Sequence, residues 1–271
     1  MAKTNKEKIE IELDNKEKAL AQAPVIVSAS RSTDIPAFYC DWFFHRLKVG
    51  YSAWTNPFNG GKKMYVSYAK TRFIVFWSKN PRPLLEHIDE LKARGIGCYV
   101  QYSLNDYEEE KLERGVPPLA ERIETFKKLV DVLGKGSVIW RFDPLVLTED
   151  ITIEKLLNKI EIIGDQLKGY TEKLVFSFVD ILSYNKVKNN LKANGISFVD
   201  WTEEQMAEFA SRLVALNKEK GWNYKLATCG ERGRYPGVEP NHCIDDELII
   251  KKSFHDKELM NYLKAEIKLM P

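Results

Sequence analysis

Cysteine and histidine are both scarce in this chain, with four of each among 271 residues. Cys40, Cys98, Cys229 and Cys243 are too few and too scattered to form the disulfide framework of a small secreted protein. Charge of one sign is lacking as well. Although 30% of the residues are charged, 41 Lys and Arg against 39 Asp and Glu leave a formal net charge of +2. That balance excludes a whole-chain basic field for duplex DNA and leaves only a local patch open. No apolar run approaches the roughly 20 residues that span a bilayer. Lys3 to Lys18 is interspersed with acidic residues and holds no apolar segment, which excludes a secretory or transit peptide. A soluble cytoplasmic protein is the expectation. Also missing are HExxH, a Walker A loop, a nucleophile elbow and a Gly-rich dinucleotide fingerprint after the first strand.

What is present is a repeated strand ending. At 44% hydrophobic the chain can bury one large core, so a single α/β domain is expected. Val25-Ile26-Val27 runs into Ser28-Ala29-Ser30-Arg31-Ser32-Thr33-Asp34-Ile35-Pro36, a strand that ends in a polar turn before a helix. The same ending recurs at Ser78-Lys79-Asn80, Gln101-Tyr102-Ser103, Arg141-Phe142-Asp143, Ser177-Phe178-Val179-Asp180 and Thr228-Cys229-Gly230-Glu231. Polar groups gathered beyond the C-terminal ends of strands are where α/β proteins place ligands.

Residues 1–23 read as a charged extension, helical or partly disordered, and 24–271 as the folded domain. Strands are expected at Val25–Ala29, Tyr51–Trp54, Arg72–Trp77, Gly97–Tyr102, Ser137–Phe142, Lys173–Phe178 and Asn223–Thr228. Helices are expected between them, at Ala37–Lys48, Pro83–Arg94, Leu119–Leu133, Ile153–Leu167 and Glu203–Lys218. Asp34 and Thr202 stand as helix N-caps. Strands separated by helices imply right-handed crossovers and parallel pairing. The expected fold is a parallel (β/α) barrel, complete or partial, with an open doubly wound sheet as the alternative. Residues Leu182 to Trp201 interrupt the rhythm as an inserted helix and short strand.

In a barrel these strand ends converge. Arg31, Lys79 and Arg141 would then meet in one mouth suited to a phosphate, carboxylate or nucleotide. The alternative pairs Arg31 with Asp34 and Arg141 with Asp143. Asp34 is an N-cap or an acid. Asp143, before Pro144, shares one side of its strand with Arg141 and points with it toward the mouth. Ser177 and Asp180 differ in parity, so only one faces inward. Glu231 is a general base beside Cys229 or a solvated loop residue. Ser28, Ser30, Asn56, Asn80, Gln101 and Ser177 complete the candidate ligand-binding set, with Asp34, Asp143 and Glu231 as candidate catalytic groups. Cys40 and Cys98 read as small buried hydrophobes. Cys229 and Cys243, with His242 alongside, include soft-metal donor types but no close CxxC.

Several motifs taken together resemble the DUF1848 family. They are Ser28–Pro36, Trp54-Thr55-Asn56-Pro57-Phe58-Asn59, Ile74–Pro81, Val138–Pro144 and Cys243-Ile244-Asp245-Asp246. The resemblance covers about Pro24 to Lys268. It implies a C-terminal cysteine-rich tail similar to the cluster-binding motif of radical S-adenosylmethionine (radical SAM) enzymes. Cys229 and Cys243 match recurring cysteines that would join that tail in a metal or second cluster site. This sequence stops at Pro271, before any such tail. The expectation is therefore no cofactor on this chain alone, with an iron–sulfur cluster and S-adenosylmethionine in a version that carries the tail. The leading expectation is a radical-SAM-like barrel enzyme with an anionic or nucleotide-like ligand and no membrane partner. Two alternatives stand beside it. One is a metal-dependent hydrolase or lyase. The other is a nucleic-acid or ligand-binding module stacking on Trp54, Trp77, Tyr102 and Trp140, residues whose bland reading is core packing.

Overall fold

Strict alternation in Lys8-Ile9-Glu10-Ile11-Glu12 gives a strand with one half-buried face, β1 (Lys8–Glu12). It pairs antiparallel with β2 (Lys18–Gln22). The computed structural model describes residues 8–30, 33–55, 60–181, 188–189, 191, 193–229 and 235–267. The expected helical or disordered extension is corrected here, because the charges of Lys8–Glu12 alternate with isoleucines at a period of two, not in helical spacing. Nor does this segment stand apart. β2 pairs in parallel with β5 (Lys63–Ser67), and β5 pairs antiparallel with β4 (Tyr51–Thr55), making the four-stranded sheet β1-β2-β5-β4. The turn between β1 and β2 is fastened by Tyr51, whose hydroxyl accepts from the Asp14 N–H at 2.8 Å. Tyr51–Trp54, expected as a strand of the parallel set, therefore belongs to a mixed sheet.

The expected single domain divides into two compact units, residues up to Val100 with Ile244 onward, and Gln101–Cys243. The chain passes between them inside β7 (Gly97–Ser103). In the first unit β3 (Ile26–Ala29) pairs in parallel with β6 (Phe73–Ser78). β6 is apolar almost throughout and nearly wholly buried, as a parallel strand covered on both faces requires. Helices α1 (Ile35–Phe38) and α2 (Cys40–Val49) follow β3, and Phe43 of α2 packs edge-on against Phe76 of β6. A 3-10 turn at Arg82–Glu86 and α3 (Ile88–Ala93) precede β7.

The second unit carries the clearest βαβ rhythm. α4 (Leu119–Leu133), β8 (Val138–Leu145), α5 (Ile153–Leu167), β9 (Lys173–Phe178), α6 (Glu203–Glu219), β10 (Lys225–Thr228) and the short β11 (Glu239–Pro240) follow in order. All pairings among β8, β9, β10 and β11 are parallel. Thr202 caps α6 through a reciprocal capping box with Gln205. Core residues include Trp140 and Phe142 of β8, Phe176 of β9 and Phe209 of α6. Helices α7 (Asp246–Ser253) and α8 (Lys257–Ile267) return to the first unit. The fold is thus α/β, with parallel strands and intervening helices. Most of the expected insertion at 182–201 lies outside the described residues. Its described end bridges Val199 to Leu147.

Candidate functional site

Strand register assembles the site of the second unit. Phe142 of β8 is paired with Phe176 of β9, Phe176 with Thr228 of β10, and Thr228 with Pro240 of β11. One residue further along each strand come Asp143, Ser177, Cys229 and Asn241. Pairing continues past this row among β9, β10 and β11, since the Cys229 N–H donates to Phe176 O at 3.2 Å and the Asn241 N–H to Thr228 O at 2.7 Å, while β8 shifts register against β9 between Phe142 and Leu145. Four polar side chains from distant points in the sequence thus stand side by side at the strands' C-terminal ends.

Arg141, two residues before Asp143 on the same face of β8, sits beneath this row at 3% exposure. Its Nη1 donates to Gln101 Oε1 at 3.2 Å, and its Nε and Nη2 donate to Asp143 Oδ2 at 3.2 and 2.5 Å. Nη2 also donates to Cys229 Sγ at 3.2 Å. Burial opposes the guanidinium charge, but Asp143 and Cys229 outweigh it and hold the pKa above the ordinary arginine value. Asp143 is equally committed. Its second carboxylate oxygen accepts from the Ser177 hydroxyl, and Asn105 clasps its backbone N–H and C=O at 2.8 and 3.1 Å. The alternative reading of Arg141, as the partner of Asp143, is what the geometry shows.

The two cysteine side chains meet here. Asn241 Nδ2 donates to Cys229 Sγ at 3.0 Å, and Cys243 lies near enough to Cys229 for the two thiols to influence each other. Burial, together with the neighbouring Cys229, pushes the Cys243 thiol upward despite the opposing pull of Arg141. Gln101 Nε2 lies 3.5 Å from the Cys243 carbonyl. The buried Asn241 Oδ1 has no hydrogen-bond partner among the described residues. Cys40 and Cys98 are different: burial raises both thiols to about 12, which suits inert core residues.

Candidates in the first unit form a structural clasp of their own residues. Asp34 caps α1 by accepting from Ala37 N at 3.0 Å, and its other oxygen accepts from Lys79 N at 2.7 Å. Ser30, at φ +125°, donates to Trp77 O and accepts from Ile35 N. Ser28 accepts from Trp77 Nε1 at 3.1 Å, while Asn80 N donates to Ser78 Oγ at 2.9 Å. Arg31, Asn56 and Glu231 lie outside the described residues. The stacking platform is reduced to one member. Tyr102 and Trp140 are wholly buried with their polar atoms bonded to Arg122 O and Leu104 O, and Trp77 is held by Ser28. Only Trp54 is exposed, at 36%.

A family described as "Domain of unknown function (DUF1848)" matches residues 26–266. The chain belongs to that family. No curated protein matches it. Among solved structures it is similar to a cysteine-to-serine variant of spore photoproduct lyase, with 17% identity and a TM-score of 0.43. That match covers 80% of this chain and 60% of the lyase chain.

Within this DUF1848 chain, Asn105 and Asn241 are the site residues that strand-end reasoning passed over. Asn105 lies just past β7, and Asn241 belongs to the Gly/Pro-containing stretch that links the two cysteines. Among the described residues no group of three or more His, Cys, Asp and Glu side chains could hold a metal. No described helix is long and apolar enough to cross a membrane.

Proposed function

We propose that this chain is the (β/α)-barrel body of a radical-SAM-like enzyme, in which Cys229 and Cys243 supply two thiolate ligands to a metal or iron–sulfur centre. The observation that carries this reading is Cys229 Sγ at the end of β10, which accepts from both Arg141 and Asn241, with the second cysteine, Cys243, close by. Two N–H donors are thus aimed at one sulfur.

The donor set fits half of such a centre. Tetrahedral zinc and cluster iron both call for more thiolate or imidazole ligands than two. The remaining donors would come from further cysteines, as the family resemblance implies. The buried, unpartnered Asn241 Oδ1 beside the thiols is consistent with a further group bound there. An iron–sulfur cluster, when bound, supplies an electron for reductive cleavage of S-adenosylmethionine.

The chain's own residues do the positioning. Asp143, held by Ser177 and Asn105, fixes the guanidinium plane of Arg141, and Arg141 in turn fixes Cys229. Arg141 is therefore a positioning residue of the thiol pair. A small anionic or nucleotide-like substrate would have to displace Asp143 to reach its charge.

Cadmium titration under anaerobic conditions tests the pair, with the thiolate-to-cadmium absorption as readout. One ion per chain is expected for the wild type, and none of comparable affinity for Cys229→Ser or Cys243→Ser. Equal binding by wild type and both variants would remove the ligand role from this pair.

A further inference from the structure

A cavity in the first unit carries an inference independent of the thiol pair. It lies against β3 and the α1–α2 corner on one side and β4 and β5 on the other, with a volume of about 640 Å³. That is within the roughly 300–1,000 Å³ range of small-molecule sites.

Its chemistry is selective. The chain is 30% charged, yet none of the 18 described residues lining the cavity is Lys, Arg, Asp, Glu or His. A phosphate or carboxylate would find no counter-charge among them, and burying it unpaired is costly. The walls are aromatic. Tyr39, Trp42 and Trp54 line the cavity while remaining 49%, 45% and 36% exposed, an unusual concentration of large rings in partial contact with water.

Two hydroxyls add direction. Ser28 Oγ accepts from Trp77 Nε1, and Ser52 Oγ accepts from the Tyr68 hydroxyl at 2.9 Å. Each keeps its own proton to donate. Hydroxyl donors thus stand among flat apolar rings in this cavity.

We infer that this cavity binds an uncharged, planar heteroaromatic molecule of about nucleobase size, held by stacking on Trp42 and Trp54 and by its ring-nitrogen or carbonyl acceptors. Stacking on aromatic side chains tolerates many ring systems because each presents a π face.

The test uses 2-aminopurine, whose fluorescence is quenched when it stacks on an indole. Saturable quenching is expected with the wild-type chain. Trp54→Ala and Trp42→Ala should each weaken it about tenfold, while Trp54→Phe should stay within about threefold because a ring is kept. Thermal melts of all variants separate lost binding from lost folding, and Trp42→Ala, on an exposed helix turn, serves if Trp54→Ala does not fold. Inorganic phosphate should not compete. Absence of saturable quenching, binding indifferent to both tryptophans, or competition by phosphate would overturn the inference. So would self-association of the wild type that Trp42→Ala abolishes, since the face would then belong to a second copy.

Discussion

Arg141 and Cys229, 88 residues apart in the sequence, are joined by an Nη2–H to Sγ hydrogen bond of 3.2 Å. The bond exists because β8, β9 and β10 pair in parallel, in register up to Phe142, Phe176 and Thr228, which brings the ends of β8 and β10 together beyond that row. Arg141 lies on the same face as that row. Cys229 is thus placed by sheet geometry.

Arg141→Met should destabilise the second unit by about 3 kcal/mol or more, since removing one member of a buried ion pair strands the other. Asp143 would lose its partner at Oδ2, and Gln101 Oε1 would lose its donor. Urea unfolding of the variant and wild type measures the difference. A change below about 0.5 kcal/mol, the usual range for surface substitutions, would mean that the buried contacts carry little.

Asp34→Ala should cost about 1–3 kcal/mol, because one carboxylate both caps α1 and accepts from Lys79 N. The loss should appear as a lowered denaturation midpoint with an unchanged slope. An unaltered midpoint would show that these two bonds are replaced by water without penalty, and would return Asp34 to the candidates for chemistry.

Acid should loosen the contact between Arg72 and Asp256. Burial raises the Asp256 pKa, but the Arg72 guanidinium at 2.6 Å and the Leu259 N–H at 3.1 Å outweigh it, so the group lies below its ordinary value. A carboxylate with a depressed folded-state pKa adds stability that is complete above its unfolded pKa near 3.9, and lost as pH falls through the folded value. Unfolding free energies measured from neutral pH downward should therefore decline more steeply for wild type than for Asp256→Asn. Parallel curves would contradict this.

How much could be read beforehand follows from the physics of each element. The helices Leu119–Leu133 and Ile153–Leu167 were legible to the residue, because their apolar faces repeat at helical spacing and polar turns bound them. Asp34 and Thr202 were legible as caps for the same local reason. Lys8–Gln22 was not, because its abundance of charge masked an alternation that matters only once β5 is present to pair with β2. Lys63–Ser67 escaped notice because a short strand beside Gly60-Gly61 carries little pattern of its own. At the site, strand ends pointed to Gln101, Arg141, Asp143, Ser177 and Cys229 one by one. Their order across the sheet, and with it the bond from Arg141 to Cys229, depends on register, which a single sequence does not state. Asn105 and Asn241 lay beyond reach because ordinary loop asparagines carry no distinguishing signal.

The most direct measurement of the central claim is anaerobic reconstitution with iron and sulfide, followed by iron analysis per chain. It compares this chain with a version extended by a cysteine-rich segment of the kind the family resemblance implies. The account predicts no stoichiometric iron on the chain alone, iron uptake by the extended chain, and a partial loss of that iron on Cys229→Ser. Stoichiometric iron on the chain alone, or an extended chain whose iron ignores Cys229→Ser, would contradict it.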